Sequence, residues 1–179
     1  MQKYLTPLIA VLALLGPGIL WAAAPAKPTD PQIAHIAYTA GLLDVEAGKQ
    51  ALEKSQDKDV RAFAQQMIGD HTAFNDQALA LVKKLNVTPE DNPTSQSLTK
   101  QAEATRTKLA GLTGAAFDKA YVDNEVAYHK TVNAALSTTL IPDAQNSELK
   151  SLLQSGLKLF EAHLEHAEQL AQQLQSAKS

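Results

Sequence analysis

Apolar positions recur along this chain with helical spacing. From Val60 the steps alternate between four and three residues: Val60, Ala64, Met67, His71, Phe74, Ala78, Leu81, Leu85. The same alternation links Leu149, Leu153, Gly156, Phe160, His163, Ala167, Leu170 and Leu174. Such seams lie on one side of a helix and pack in left-handed bundles. A broader stripe runs through Phe117, Tyr121, Val122, Glu125, Tyr128, His129, Val132 and Leu136. A fourth runs through Ile33, Ile36, Ala40, Leu43 and Ala47. No fixed-period repeat points to a solenoid.

Proline sets the limits of these helices, because each proline inside a helix costs ~3 kcal/mol. Beyond residue 26 it occurs only at 28, 31, 89, 93 and 142. The pattern predicts a first helix from Asp30-Pro31, with Asp30 as N-cap, to about Lys54. A second starts near Asp57 or Asp59 and ends near Leu85, with Asn86 as C-cap. A third follows Thr113-Gly114 and runs to about Thr139. A fourth, capped by Ser147, runs from Glu148 to near Ser176. Between the second and third lies a long connection, 87–114. It opens with turn residues from Pro89 to Ser95 and continues as a short polar helix, Gln96 to Leu109. A simple up-down bundle needs only a short loop there. The expected fold is therefore all-α, a ferritin-like four-helix bundle with a long crossover between its second and third helices.

Residues 1–26 predict a secretory signal peptide. Lys3 supplies the positive charge, Leu5 to Trp21 is uncharged and largely apolar, and small residues follow. Cleavage after Ala26 gives an Ala-x-Ala site, and cleavage after Ala24 also meets the small-residue rule but leaves Pro25 beside the cut. Pro7, Gly16, Pro17 and Gly18 weaken the alternative of a membrane-spanning anchor. Residues 27–179 then form one domain, expected in a bacterial periplasm with no stable membrane insertion. A homodimer is left open.

Composition changes this picture little and the chemistry more. Among 179 residues, thirty are Ala and nine aromatic, which suits close-packed helices. The balance of 16 Lys and Arg against 19 Asp and Glu argues against a nucleic-acid partner. With no cysteine there is no disulfide, thiolate ligand or thiol nucleophile. Imidazole and carboxylate remain as the strong ligands, and Met67 alone is too little for a thioether copper site.

Each eight-position seam holds one residue that is neither apolar nor glycine, and it is histidine both times: His71 and His163. Glu125 and His129, spaced i, i+4, share a face of the third helix. Asp44 and Glu46 flank the first helix's stripe. Counted from the turns, Glu125 and His163 lie at one height, and Glu46 and His71 within about one helical turn of each other, ~5 Å. Glu46, His71, Glu125, His129 and His163 are thus expected to form one polar layer at mid-bundle, with Asp44 and His166 as outer candidates. Asp70, about 100° round the helix from His71, is expected in solvent, and His35 at the periphery.

Buried without partners, such groups cost several kcal/mol each, so they must pair, bind water or bind a metal ion. One reading is a site for one divalent transition-metal ion, Zn, Fe, Mn or Cu. The other is a structural layer that fixes helix register in an envelope interaction protein. One ion can join His71 and His163 only if their ring nitrogens come within ~6 Å, since metal–nitrogen bonds are ~2.0–2.1 Å. No nucleophile elbow, phosphate loop, dinucleotide fingerprint or His-Glu-x-x-His points to an enzyme.

The stretch Gly41 to Leu52, the piece Val60-Arg-Ala-Phe-Ala-Gln-Gln-Met-Ile-Gly-Asp-His71 and the stretch Phe117 to His129 resemble the domain-of-unknown-function 4142 family. The resemblance extends to the region of His163. It implies a ferritin-like bundle in the bacterial envelope and carries no established activity. Members are often labelled outer-membrane proteins, but no alternating barrel strands or lipidation Cys support that here. Di-iron carboxylate bundles carry Glu-x-x-His on two helices. Here Ile68 and Phe160 stand where those glutamates would be, which argues against a ferroxidase and iron storage.

Overall fold

The computed structural model describes residues 27–176, and the expected leader lies outside them. The described residues are all-helical, with five long helices: α1 (Asp30–Lys54), α2 (Lys58–Lys84), α3 (Pro93–Ala110), α4 (Gly114–Ala135) and α6 (Ser147–Ser176). Between α4 and α6 the chain makes a π-helical turn, Leu136–Leu140, and a short α5, Ile141–Asp143. α1 packs along α2, α4 along α6, and α2 against α6. α3 lies in the link between α2 and α4 and leans on α1.

The helix ends show which local interactions win. Asp57 caps α2 by accepting from the Asp59 and Val60 amides, and Asn86 takes the left-handed conformation after it, at φ 53°. Three caps differ from expectation: the C-cap of α2 is Leu85, one residue before Asn86, and two N-caps are displaced. Asp30 sits inside α1, whose N-cap is Thr29. Its carboxylate instead accepts from the Gln145 and Asn146 amides, both at 2.8 Å, tying the start of α1 to the start of α6. Asn146, not Ser147, caps α6, accepting from the Glu148 and Leu149 amides. The third predicted helix ends its regular α-turns at Ala135 rather than Thr139. Ser137 and Thr138 hydroxyls donate back to the carbonyls of Asn133 and Ala134, and Pro142 brings no amide to the ladder. Both features favour a widened turn there.

α3 is longer than the predicted polar helix, because Asn92 caps it and Pro93 opens it. It buries only Ser95 and Leu109. Polar contacts hold it to α1: Arg106 pairs with Glu46, and Lys54 donates to the Ala110 carbonyl at 2.7 Å.

The apolar core is in two parts. One joins Ile33, Ile36, Phe74, Val82, Leu136, Leu140, Leu153 and Phe160. The other joins Ala51, Val60, Phe63, Met67, Phe117, Tyr121, Val122, Ala167 and Leu170. Along α1, α2, α4 and α6 alike, the chain passes from one cluster to the other across a buried ionisable residue: Asp44, His71, Glu125 with His129, and His163. The polar layer is thus a continuous slice between two apolar halves.

Two glycines let the helices approach across this core. A Cβ on Gly48 would fall 3.0 Å from the Ala64 carbonyl and 2.9 Å from Ile68, and one on Gly156 would fall 2.5 Å from the Phe74 ring. Gly69, by contrast, faces open space. Gly69→Ala is therefore expected to stabilise the protein by about 0.5–1 kcal/mol through helix propensity alone. Gly48→Ala, which must push the α2 backbone away, is expected to lower the melting temperature, by about 2–8 °C. Thermal unfolding of the two variants checks both signs.

Candidate metal centre

Five ionisable side chains meet in the slice between the two apolar clusters. Asp44 comes from α1, His71 from α2, Glu125 and His129 from α4, and His163 from α6. All are at most 2% exposed. The seams place His71 and His163 on the inner lines of α2 and α6, and the i, i+4 spacing stacks His129 one turn above Glu125.

The three imidazole rings form a near-equilateral triangle, with centroids 5.2, 5.5 and 5.7 Å apart. One nitrogen from each lies within 4.8 Å of the others, inside the ~6 Å limit for sharing one ion. Asp44 Oδ2 is 3.4 Å from His71 Nε2 and 3.6 Å from His129 Nε2. Those separations exceed a good hydrogen bond, ~2.7–3.2 Å. They match the edge of a tetrahedron around an ion with bonds of ~2.0–2.1 Å, about 3.4 Å.

Hydrogen bonds on the outer side fix which nitrogen faces in. His129 Nδ1 lies 3.0 Å from the Glu125 carbonyl oxygen. A carbonyl only accepts, so Nδ1 carries the proton and Nε2 presents its lone pair inward. His163 Nε2 lies 2.9 Å from Asp70 Oδ2. It donates to that carboxylate, which leaves His163 Nδ1 as the buried nitrogen without a partner. His71 has no hydrogen-bond partner on either nitrogen, and both Asp44 oxygens and Glu125 Oε2 also lack one. The ring of Phe160 stacks on His71 with centroids 4.6 Å apart and an angle of 17°.

Burial dominates the electrostatics. It pushes Asp44 up to about 8. It raises Glu125 well above the usual carboxylate range, helped by Asp44. His71 is held well below its ordinary value by burial and by the other two imidazoles. His129 is lowered to about 4, mainly by burial. His163 is lowered by burial, against the opposing pull of Asp70. At neutral pH the metal-free layer therefore holds neutral imidazoles and protonated carboxyls.

Of the residues singled out from the sequence, His71, Glu125, His129 and His163 meet, and Asp44 joins them at the centre rather than at the edge. Glu46 does not. Its side chain is 38% exposed and pairs with Arg106 on α3, because it lies about 200° round the helix from Asp44. His166 is exposed, with Nδ1 3.0 Å from Gln66 Oε1 and its ring edge-on to Phe63. His35 is peripheral, 3.9 Å from Asp91. Asp70 is not simply a solvent residue, since it reaches across to His163. Extending the α1 stripe to Ala51 gives the signal for Asp44: Ala40, Asp44, Ala47 and Ala51 keep steps of four, three and four. Asp70 carries no comparable signal.

The profile described as Domain of unknown function (DUF4142) matches residues 20–170. The chain belongs to the DUF4142 family. Two solved structures are similar to this DUF4142 chain. A DUF305 fragment from Deinococcus radiodurans superposes with a TM-score of 0.71 at 17% identity, over 84% of this chain and 99% of that one. A DUF305 protein of Streptomyces coelicolor, described as secreted, superposes with a TM-score of 0.68 at 12% identity, over 80% of this chain and 91% of that one. At these identities the likeness concerns the fold alone. No curated protein matches the chain.

The layer has a pH signature of its own. Below about pH 6.5 the unfolded chain protonates the three histidines, whereas burial holds all three below that value in the folded layer, His129 at about 4, so their contribution to stability falls on acidification. Asp44 and Glu125 act in the opposite direction: the folded state keeps protons that the unfolded carboxyls release above about pH 4. The two effects oppose each other below about pH 6.5, and well above it the carboxyls act alone. The metal-free protein is expected to lose stability from about pH 6.5 towards pH 8, as the unfolded chain sheds its histidine protons and the folded Asp44 keeps its own. Asp44→Asn is expected to flatten that alkaline limb. Thermal unfolding with a chelator present, at half-unit pH steps, measures that limb in both proteins.

Proposed function

We propose that this DUF4142 protein is exported to the bacterial periplasm and holds one divalent transition-metal ion through His71, His129, His163 and Asp44, with Glu125 alongside. The observation that carries this reading is a set of buried, unpartnered atoms on residues that meet in two groups sharing His129: His71, His129 and His163, and Asp44, Glu125 and His129, each with ligand atoms within 4.8 Å of one another. His71 Nε2, His129 Nε2, His163 Nδ1 and both Asp44 oxygens lack any hydrogen bond. A layer built only to fix helix register would hydrogen-bond internally, because each unpartnered buried polar atom costs about 1–3 kcal/mol. An ion uses those lone pairs at once.

The donor set of three imidazoles and one carboxylate suits Zn(II), Fe(II), Mn(II) or Cu(II). The histidines need no deprotonation, and Asp44 and Glu125 release their protons as the ion enters. The backbone carbonyl of Glu125 and the carboxylate of Asp70 orient two of the rings, as outer partners do in metal sites. The ferritin-like four-helix bundle with a crossover belongs to the same proposal, with α1, α2, α4 and α6 as the bundle and α3 in the crossover. Export is supported by the charged, then apolar, then small-residue pattern of residues 1–26. Among the described residues no helix is long and apolar enough to cross a membrane.

The untagged mature protein is expected to bind about one ion per chain by elemental analysis. An excess of the preferred ion at about 100 times its Kd adds ~2.7 kcal/mol, a rise of several degrees in melting temperature. His163→Ala and Asp44→Ala are expected to abolish both effects, and Glu46→Gln to leave them unchanged. Asp70→Ala is expected to weaken binding about 10–100-fold, the usual cost of removing an outer partner. Sub-stoichiometric metal, with no thermal shift from Zn(II), Cu(II), Mn(II) or anaerobic Fe(II), would overturn the proposal in favour of a structural layer.

A further inference from the structure

A cavity of about 170 Å³ lies beneath α3, between α1 and α4. It is far larger than the ~10–15 Å³ that a single water needs. Asp44 and Glu125 both line it, whereas none of the three clustered histidines does. The cavity therefore meets the buried layer only on its carboxylate side. Both carboxyl groups are 1% exposed, and Asp44 Oδ1 and Glu125 Oε2 have no partner. About half of the remaining wall is Leu and Ala side chains; Gln101, Thr105 and Arg106 line it from α3, and Asn124, Tyr128 and Thr131 from α4.

From this juxtaposition we infer that the cavity beneath α3 is the seat of a small, neutral, hydrogen-bond-donating oxygen ligand that coordinates the ion from the carboxylate side. The inference rests on the metal-binding reading and deepens it: beyond its four protein ligands the ion takes a fifth, exchangeable ligand, expanding from four- to five-coordinate. Two features define the ligand class. It needs a lone pair for the ion and an O–H or N–H for the two unpartnered carboxyl groups. Water, hydrogen peroxide and short hydroxamic acids meet both requirements. Small anions such as azide meet only the first, and they would approach two acidic groups, while the one cation in the wall, Arg106, is already paired with Glu46. A site serving structure alone has no use for such a cavity, whereas an exchangeable position requires one.

The roof of the cavity can be altered without touching the ligands. α3 buries few side chains, so Ala102 and Gln101, both lining the cavity, accept larger residues at little cost to the fold. The experiment uses mature protein loaded with Co(II), with acetohydroxamic acid as the probe. The visible Co(II) spectrum reports coordination, and equilibrium dialysis reports retained metal. The expected result is a saturable spectral change with Co(II) retained. Ala102→Trp should raise the apparent Kd for the probe at least tenfold at unchanged Co(II) stoichiometry. Gln101→Trp, at an exposed α3 position, provides the same test should Ala102→Trp not fold. Bound Co(II) with a spectrum insensitive to the probe overturns the inference and leaves metal binding standing. So does undiminished probe binding in the filled variants, or removal of the ion by the probe. Failure to bind Co(II) or any other ion overturns the metal-binding reading, and this inference with it.

Discussion

The structure depends on one constraint: five ionisable side chains are buried in a slice that divides the apolar core. Asp44, His71, Glu125, His129 and His163 are all at most 2% exposed, and few of their inward atoms have partners. Desolvation at such depth disfavours every charged form. The layer answers this by holding the histidines neutral and the carboxyls protonated, so the interior carries little net charge. The apolar clusters on either side then set its geometry. Each of the four helices crosses from one cluster to the other at its polar residue, so sliding any helix by a turn would bury ionisable groups in hydrocarbon and push apolar residues into the slice. The layer thus specifies register whether or not an ion occupies it.

Packing around the slice is correspondingly close. Gly48 and Gly156 remove side chains where α1 and α6 press on α2. Phe160 lies flat on His71 and limits rotation of the ring that has no hydrogen bond. Tyr128 donates to the Ala40 carbonyl at 2.8 Å, fixing α4 against the turn of α1 that leads into Asp44. These contacts hold His71 and Asp44 in place although nothing bonds to their inward atoms.

Most of this was legible in the sequence, for a definite reason. A heptad seam is a geometric statement, and an imidazole inside one must lie in the core wherever the seam packs. His71 and His163 follow directly, and the i, i+4 pair Glu125 and His129 follows with them. Caps were less legible. Asp30 and Asn146 have side chains suited to several nearby amides, and tertiary contact between the ends of α1 and α6 decides among them. Glu46 and Asp44 were confused because counting residues from a turn fixes height to about one helical turn but fixes no direction round the helix. The longer line from Ala40 to Ala51 resolves the direction. Asp70 was misplaced for a different reason. It lies off the seam, and only the close approach of α2 and α6 lets its carboxylate reach a ring on the neighbouring helix.

The same placement favours the proposed single ion over a pair. Di-iron bundles draw four glutamates and two histidines from four helices, so four buried negative charges balance two divalent ions. Here two of those carboxylate positions are Ile68 and Phe160. Ile68 packs against Gly48, and the Phe160 ring covers one face of His71. What remains is two buried carboxyl groups and three imidazoles. Two carboxylates neutralise one divalent ion, and two protons neutralise the same carboxylates in its absence. The layer therefore comes out uncharged in either state, which a low-dielectric slice between two apolar clusters requires. A second ion would bring two positive charges with no anionic partner, in a position already occupied by an aromatic ring.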